Sequence, residues 1–145
     1  MDRDIYKNLE DWKNSARRKP LILRGARQVG KTYALKRFGK TSYKNYLYLN
    51  FEKNEKLCQF FQSSLEPKEI LKNLSIHADL SIEKEKTLII FDEVQECPEA
   101  LNSLKYFNEE ANEYHIVAAG SLLGVKTTNK KGFPVGKVNF LSLYP

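Results

Sequence analysis

The sequence predicts an α/β fold, a parallel sheet with helices on both faces. Three observations predict it. Strand-like and helix-like segments alternate along the chain. Leu88-Ile89-Ile90-Phe91 is an unbroken apolar run bounded by charge, the pattern of a strand buried on both faces. The apolar run Leu21-Ile22-Leu23 leads into a glycine loop and then into helical spacing at Ala34, Leu35 and Phe38.

Taken in order, residues 3–16 place Ile5, Leu9 and Trp12 on one helical face. Arg17-Arg18-Lys19-Pro20 breaks that pattern and reads as a solvated linker, with contact to DNA or a phosphate as the alternative. Leu21–Leu23 is the first strand. Gly39 is placed where a helix stop would end the next helix. Tyr46–Phe51 is a second strand, rich in aromatics. Residues 53–75 divide into two helices, one carrying Leu57, Phe60 and Phe61, the other opening at Pro67 with Ile70, Leu71 and Leu74 and leaving His77 just beyond. Leu88–Phe91 is the third strand. Pro98 opens a helix with Leu101, Leu104 and Phe107 buried, and His115–Ser121 is the fourth strand. Residues 124–137 form a loop or hairpin, and Val138, Phe140 and Leu143 suggest a closing strand.

The chemistry concentrates in Gly25-Ala26-Arg27-Gln28-Val29-Gly30-Lys31-Thr32. Glycines let successive backbone N–H groups turn inward around a phosphate. The helix that follows presents its free N–H groups and positive dipole end to the same point. Lys31 reaches the β- and γ-phosphates and the Thr32 hydroxyl ligates Mg²⁺. The candidate nucleotide-binding set is Gly25, Ala26, Arg27, Gln28, Val29, Gly30, Lys31, Thr32 and Tyr33. A glycine turn before a helix, with an incidental lysine, is the bland alternative. Asp92 and Glu93 fall where the third strand leaves the sheet, the edge at which open α/β folds bind ligands. Asp92 would hold the metal and Glu93 would polarise the attacking water. Ser121, at the end of the fourth strand, is a candidate partner for that water or for the γ-phosphate, or simply the start of a turn.

Composition limits the alternatives. The chain has 145 residues, 41% hydrophobic and 29% charged, which suits one domain with a real core rather than disorder. Its apolar runs fall far short of the roughly 20 residues that span a bilayer, and the first residues lack the pattern of a secretory signal. Cys58 and Cys97 belong to no C-x-x-C pair and are expected as free thiols in a reducing cytoplasm. Neither His77 nor His115 has a Cys or His at zinc-ligand spacing. Residues 1–44 hold 13 Lys and Arg against 4 acids, a balance of +9 within a net charge of +6. That bias suits a polyphosphate site beside a solvated helix, with a nucleic-acid surface as the alternative.

Residues 23–32, Phe91-Asp92-Glu93-Val94-Gln95, Ala119-Gly120-Ser121-Leu122-Leu123-Gly124 and Phe133-Pro134-Val135-Gly136-Lys137-Val138 together resemble the AAA-type P-loop ATPases. The likeness is greatest to a prokaryotic group whose ATPase core precedes a C-terminal domain of unknown function. The resemblance implies a three-layer P-loop NTPase fold with a five-stranded sheet in the order 5-1-4-3-2. It also implies Lys31 and Thr32 as Walker A, Asp92 and Glu93 as Walker B, and Ser121 as sensor 1. The expected ligands are ATP and Mg²⁺, and the absence of an Asn-Lys-x-Asp guanine reader favours adenine. On this reading residues 1–19 are an N-terminal helix and linker, and residues 20–145 are the ATPase core, expected to be part of a longer protein.

Every arginine lies at or before Arg37. An arginine finger, worth about 10³-fold or more in rate, is therefore expected from a second subunit or from further chain. The leading function is Mg²⁺-dependent ATP hydrolysis. The alternative is a nucleotide-dependent switch or DNA-binding module with little hydrolysis of its own. A small-molecule kinase fits less well, because the lid arginines such enzymes use have no counterpart after Arg37. A homo-oligomer and a DNA or protein partner are expected, and a membrane is not.

Overall fold

The computed structural model describes residues 3–25, 30–120 and 136–143. Helix α1 (Arg3–Asn14) precedes strand β1 (Leu21–Arg24), followed by α2 (Lys31–Ser42), β2 (Asn45–Asn50), α3 (Lys56–Ser63) and α4 (Pro67–Ala78). Strand β3 (Thr87–Asp92) leads through a 3₁₀ turn (Val94–Glu96) into α5 (Pro98–Glu110), and β4 (His115–Ala119) and β5 (Asn139–Ser142) complete the sheet. All pairings are parallel and the strand order is β2-β3-β4-β1-β5. Read from the other edge this is 5-1-4-3-2, the P-loop NTPase arrangement that the resemblance implies.

The strand residues alternate between two cores, as a period of two requires. Ile22, Leu47, Leu49, Ile89, Phe91, Ile116 and Ala118 face α3, α4 and α5. Leu21, Leu23, Leu88, Ile90, Val117 and Ala119 face α1 and α2, where Ile5, Leu9, Trp12, Leu35 and Phe38 close over them. Strands β3 and β4 are buried at every position, so their sequences show apolar runs without alternation. No described helix is long and apolar enough to cross a membrane.

Four sequence expectations need correction. Helix α2 continues through Gly39 to Ser42. Gly39 is an approach point rather than a stop: a Cβ there would lie 2.7 Å from the Cβ of Tyr46 on β2, closer than the helix and strand can pack. His77 belongs to α4, which ends at Asp79 in the left-handed conformation with its N–H directed to the Ile76 and Ser75 carbonyls. The cationic run is anchored at its centre: Arg18 Nη1 donates to the Asn112 carbonyl at 2.9 Å, and Asn112 Nδ2 returns a bond to the Arg18 carbonyl at 2.8 Å. Lastly, Cys58 and Cys97 are joined in a disulfide. The fold sets their Cα atoms 5.7 Å apart across 39 residues of sequence, a proximity that only α3 meeting α5 creates. Ser121 and most of the 124–137 segment lie outside the described residues.

His115 opens β4 in the α1/α2 core. Its Nδ1 is 2.7 Å from the Tyr43 hydroxyl, and the Trp12 and Tyr43 rings meet it edge-on at 5.8 and 5.4 Å. Burial first, then the charges of Arg18 and Lys13, push its pKa down to about 4. The folded chain therefore resists a proton that the unfolded chain accepts from pH 6.5 downward. Stability contributed by neutral His115 is complete above that pH and is lost as pH falls to about 4. The shift corresponds to about 3 kcal/mol. Urea unfolding followed from pH 7 to pH 4 should show this slope, and His115→Phe should flatten it.

Candidate active site

The site forms where the carboxyl ends of β1, β3 and β4 lie side by side. Ala119 on β4 is in register with Leu23 on one flank and with Asp92 on the other. This is the sheet edge at which parallel α/β folds bind ligands, because loops and helix N-termini converge there. Strand β1 delivers the chain to Gly25, and α2 starts at Lys31 behind Gly30. Gly30 has φ 83° and ψ 22°, a left-handed conformation that glycine adopts without a Cβ penalty. Ala26, Arg27, Gln28 and Val29 lie outside the described residues.

Lys31 is buried, and its Nζ donates to the Gly25 carbonyl at 2.6 Å. That bond ties the first residue of α2 back to the residue that follows β1. Thr32 Oγ1 donates to Asp92 Oδ2 at 2.7 Å, joining residues 60 apart in sequence. Tyr33 is 57% exposed, so its ring stands at the surface beside the start of α2.

Asp92 is the last residue of β3 and is buried. A buried carboxylate needs donors, and this one has them on both oxygens. Oδ2 accepts from Thr32 and from the Tyr48 hydroxyl at 2.5 Å, and Oδ1 accepts from the Glu93 N–H at 2.9 Å. Burial, then the bond to Asp92, push the Tyr48 pKa up to about 12, so its hydroxyl stays protonated and donates. Asn50 Nδ2 supports that hydroxyl at 3.2 Å. Tyr48 and Asn50 were not among the sequence candidates. Their signal was the Tyr-Leu-Tyr-Leu-Asn alternation of β2, whose polar tips reach the sheet end only once β2 pairs with β3 (Asn50 opposite Asp92).

Glu93 leaves the strand at φ 52° and ψ 45°, a region that non-glycine residues occupy at a cost of order 1–3 kcal/mol. Gln95 Nε2 donates to Glu93 Oε1 at 2.9 Å and fixes the side chain. The structure therefore brings Gly25, Gly30, Lys31, Thr32, Asp92 and Glu93 to one end of the sheet. Ser121, expected beyond Gly120, lies outside the described residues.

The oxygen set of Asp92 and Thr32 is hard, as Mg²⁺ prefers. The Thr32 hydroxyl spends its hydrogen on Asp92 and keeps lone pairs for a metal. The residues present fit that ion.

A family model described as an AAA domain matches residues 17–145. The chain belongs to the AAA domain family. Membership accords with a nucleotide-binding, ATPase-type domain. Among solved structures, the ORC1 protein of Aeropyrum pernix, determined in complex with DNA, superposes with a TM-score of 0.60 at 13% identity. That match covers 98% of this AAA domain chain and 43% of ORC1. PCH-2 of C. elegans superposes with a TM-score of 0.55 at 14% identity, covering 97% of this chain and 41% of PCH-2. The chain thus spans less than half the length of either protein, and at these identities the likeness is one of fold. No curated protein sequence matches the chain.

Proposed function

We propose that this AAA domain binds Mg²⁺–ATP at residues 25–33 and hydrolyses it. The observation that carries the reading is the Thr32–Asp92 hydrogen bond. It supports a single metal locus built from the start of α2 and the end of β3, next to the phosphate loop.

On this reading the backbone N–H groups of Gly25–Thr32 surround the phosphates, and Lys31 exchanges its Gly25 carbonyl for phosphate oxygens. Thr32 and Asp92 hold the magnesium, Asp92 directly or through water. Bound Mg²⁺ supplies charge neutralisation on the phosphate oxygens. Glu93, oriented by Gln95, accepts the proton of a water whose oxygen bonds to the γ-phosphorus as the bond to the β–γ bridging oxygen breaks. Ser121 is assigned a hydrogen bond to that water or to the γ-phosphate. A rate-enhancing arginine is assigned to a neighbouring subunit, since none follows Arg37 in the sequence.

Ligand-induced stabilisation tests the metal assignment. ATP at about 100 times its Kd raises stability by about 2.7 kcal/mol. In the parent chain, adding Mg²⁺ should increase the shift that ATP alone produces. Asp92→Asn should still respond to ATP and lose the additional response to Mg²⁺. An equal magnesium increment in both chains rules out Asp92 as the metal residue.

A further inference from the structure

Beside the segment that carries Glu93, three side chains converge that the proposed ATPase reading does not use. Cys97 is fully buried and precedes α5, Glu99 lies in the first turn of α5, and Cys58 is half-buried on α3. Their ligand atoms all lie within 4.8 Å of one another. Glu99 Oε1 is 3.5 Å from Cys58 Sγ and 3.8 Å from Cys97 Sγ. A disulfide sulfur carries no hydrogen, so neither contact is a hydrogen bond. A carboxylate oxygen is therefore set against two sulfurs that offer it no proton.

We infer that this cluster is a redox-gated site for one thiophilic divalent cation, with Zn²⁺ as the reference ion. Zinc binds thiolate at about 2.3 Å and carboxylate at about 2.0–2.2 Å in tetrahedral geometry. Those lengths require sulfur–oxygen edges of about 3.5 Å. Both such edges are already present. The remaining sulfur–sulfur edge opens when the covalent bond is cleaved, and rotation of the Cys58 side chain at its half-buried position supplies the movement. Three protein ligands leave a fourth position for water.

The chemistry balances in two steps. A dithiol or phosphine donates two electrons and the Cys58–Cys97 bond becomes two thiols, the reductant being oxidised to its disulfide or phosphine oxide. Binding Zn²⁺ then releases the two thiol protons as the thiolates and the Glu99 carboxylate close on the metal. Disulfide and metal are mutually exclusive, because each consumes the same two sulfurs. The site is soft where the Thr32–Asp92 locus is hard, so the two sites select different ions.

The test uses the whole chain, reduced with a phosphine and freed of it without air, and titrated with Co²⁺. One equivalent should bring up a near-ultraviolet thiolate-to-cobalt charge-transfer band, which Zn²⁺ then bleaches. The band should be absent from the oxidised chain and from Cys58→Ser, and unchanged in Asp92→Asn. Glu99→Gln, with native circular dichroism, should weaken zinc binding by about tenfold or more in competition with a chelating dye. A reduced chain without the band, or one binding Zn²⁺ no more tightly than the oxidised chain, overturns the proposal. So does a Glu99→Gln chain with undiminished zinc affinity. None of these readouts depends on nucleotide.

Discussion

Lys31→Ala should remove ATP binding at concentrations that saturate the parent. Lys31 is buried at the start of α2, so its charge would meet phosphate where water is largely excluded and Coulomb attraction is weakly screened. Truncating one partner of such a charge pair costs about 2–5 kcal/mol. At 1.4 kcal/mol per tenfold, affinity should fall about 30-fold to several thousand-fold. The fold should survive. In the unliganded chain Nζ is bonded to the Gly25 carbonyl, and a net hydrogen bond involving a charged group is worth about 1.5–3 kcal/mol. Calorimetric titration with Mg²⁺–ATP, paired with circular dichroism, separates the two effects. If the alanine chain binds ATP as tightly as the parent, the phosphate-site assignment is wrong.

Glu93→Gln should leave ATP affinity near that of the parent and slow hydrolysis by about 10²–10⁴-fold, the range for losing a general base. That is about 3–5 kcal/mol of barrier. Glutamine keeps the shape and the carbonyl oxygen that Gln95 Nε2 contacts at 2.9 Å, so the side chain should hold its position. What it lacks is the ability to take a proton from water at neutral pH. Single-turnover hydrolysis of labelled ATP is the suitable assay, because it reads the chemical step even where steady-state rates are small. Equal single-turnover rates for the two chains would remove Glu93 from the mechanism, while the Lys31 result would stand or fall separately.

Much of the fold was legible because its signals are local. The Leu21–Leu23 run, the positive-φ glycine at Gly30 and the stripe at Ala34, Leu35 and Phe38 are each read over a few residues. The same holds for Pro98 at the first turn of α5 and for the unbroken run of β3. Asp92 and Glu93 were legible as candidates because a strand end next to a phosphate loop calls for acids. The expectation at Gly39 failed for a physical reason: glycine there serves the close pass of Tyr46 on β2, and helix-stop chemistry looks the same in sequence. The linker reading of Arg18 failed because its partner, Asn112, is 94 residues away.

The sequence by itself determined the alternation of elements, the glycine loop and the two acids, since dihedral preference and hydrophobic period act between near neighbours. Tertiary structure alone decided which strand ends meet. It put Thr32 on Asp92, brought Tyr48 in as a second hydroxyl donor, and set Cys58 beside Cys97 and Glu99. Those contacts depend on strand order and on helices crossing a sheet, and parallel register is set by burial of both faces at once rather than by any short stretch of chain.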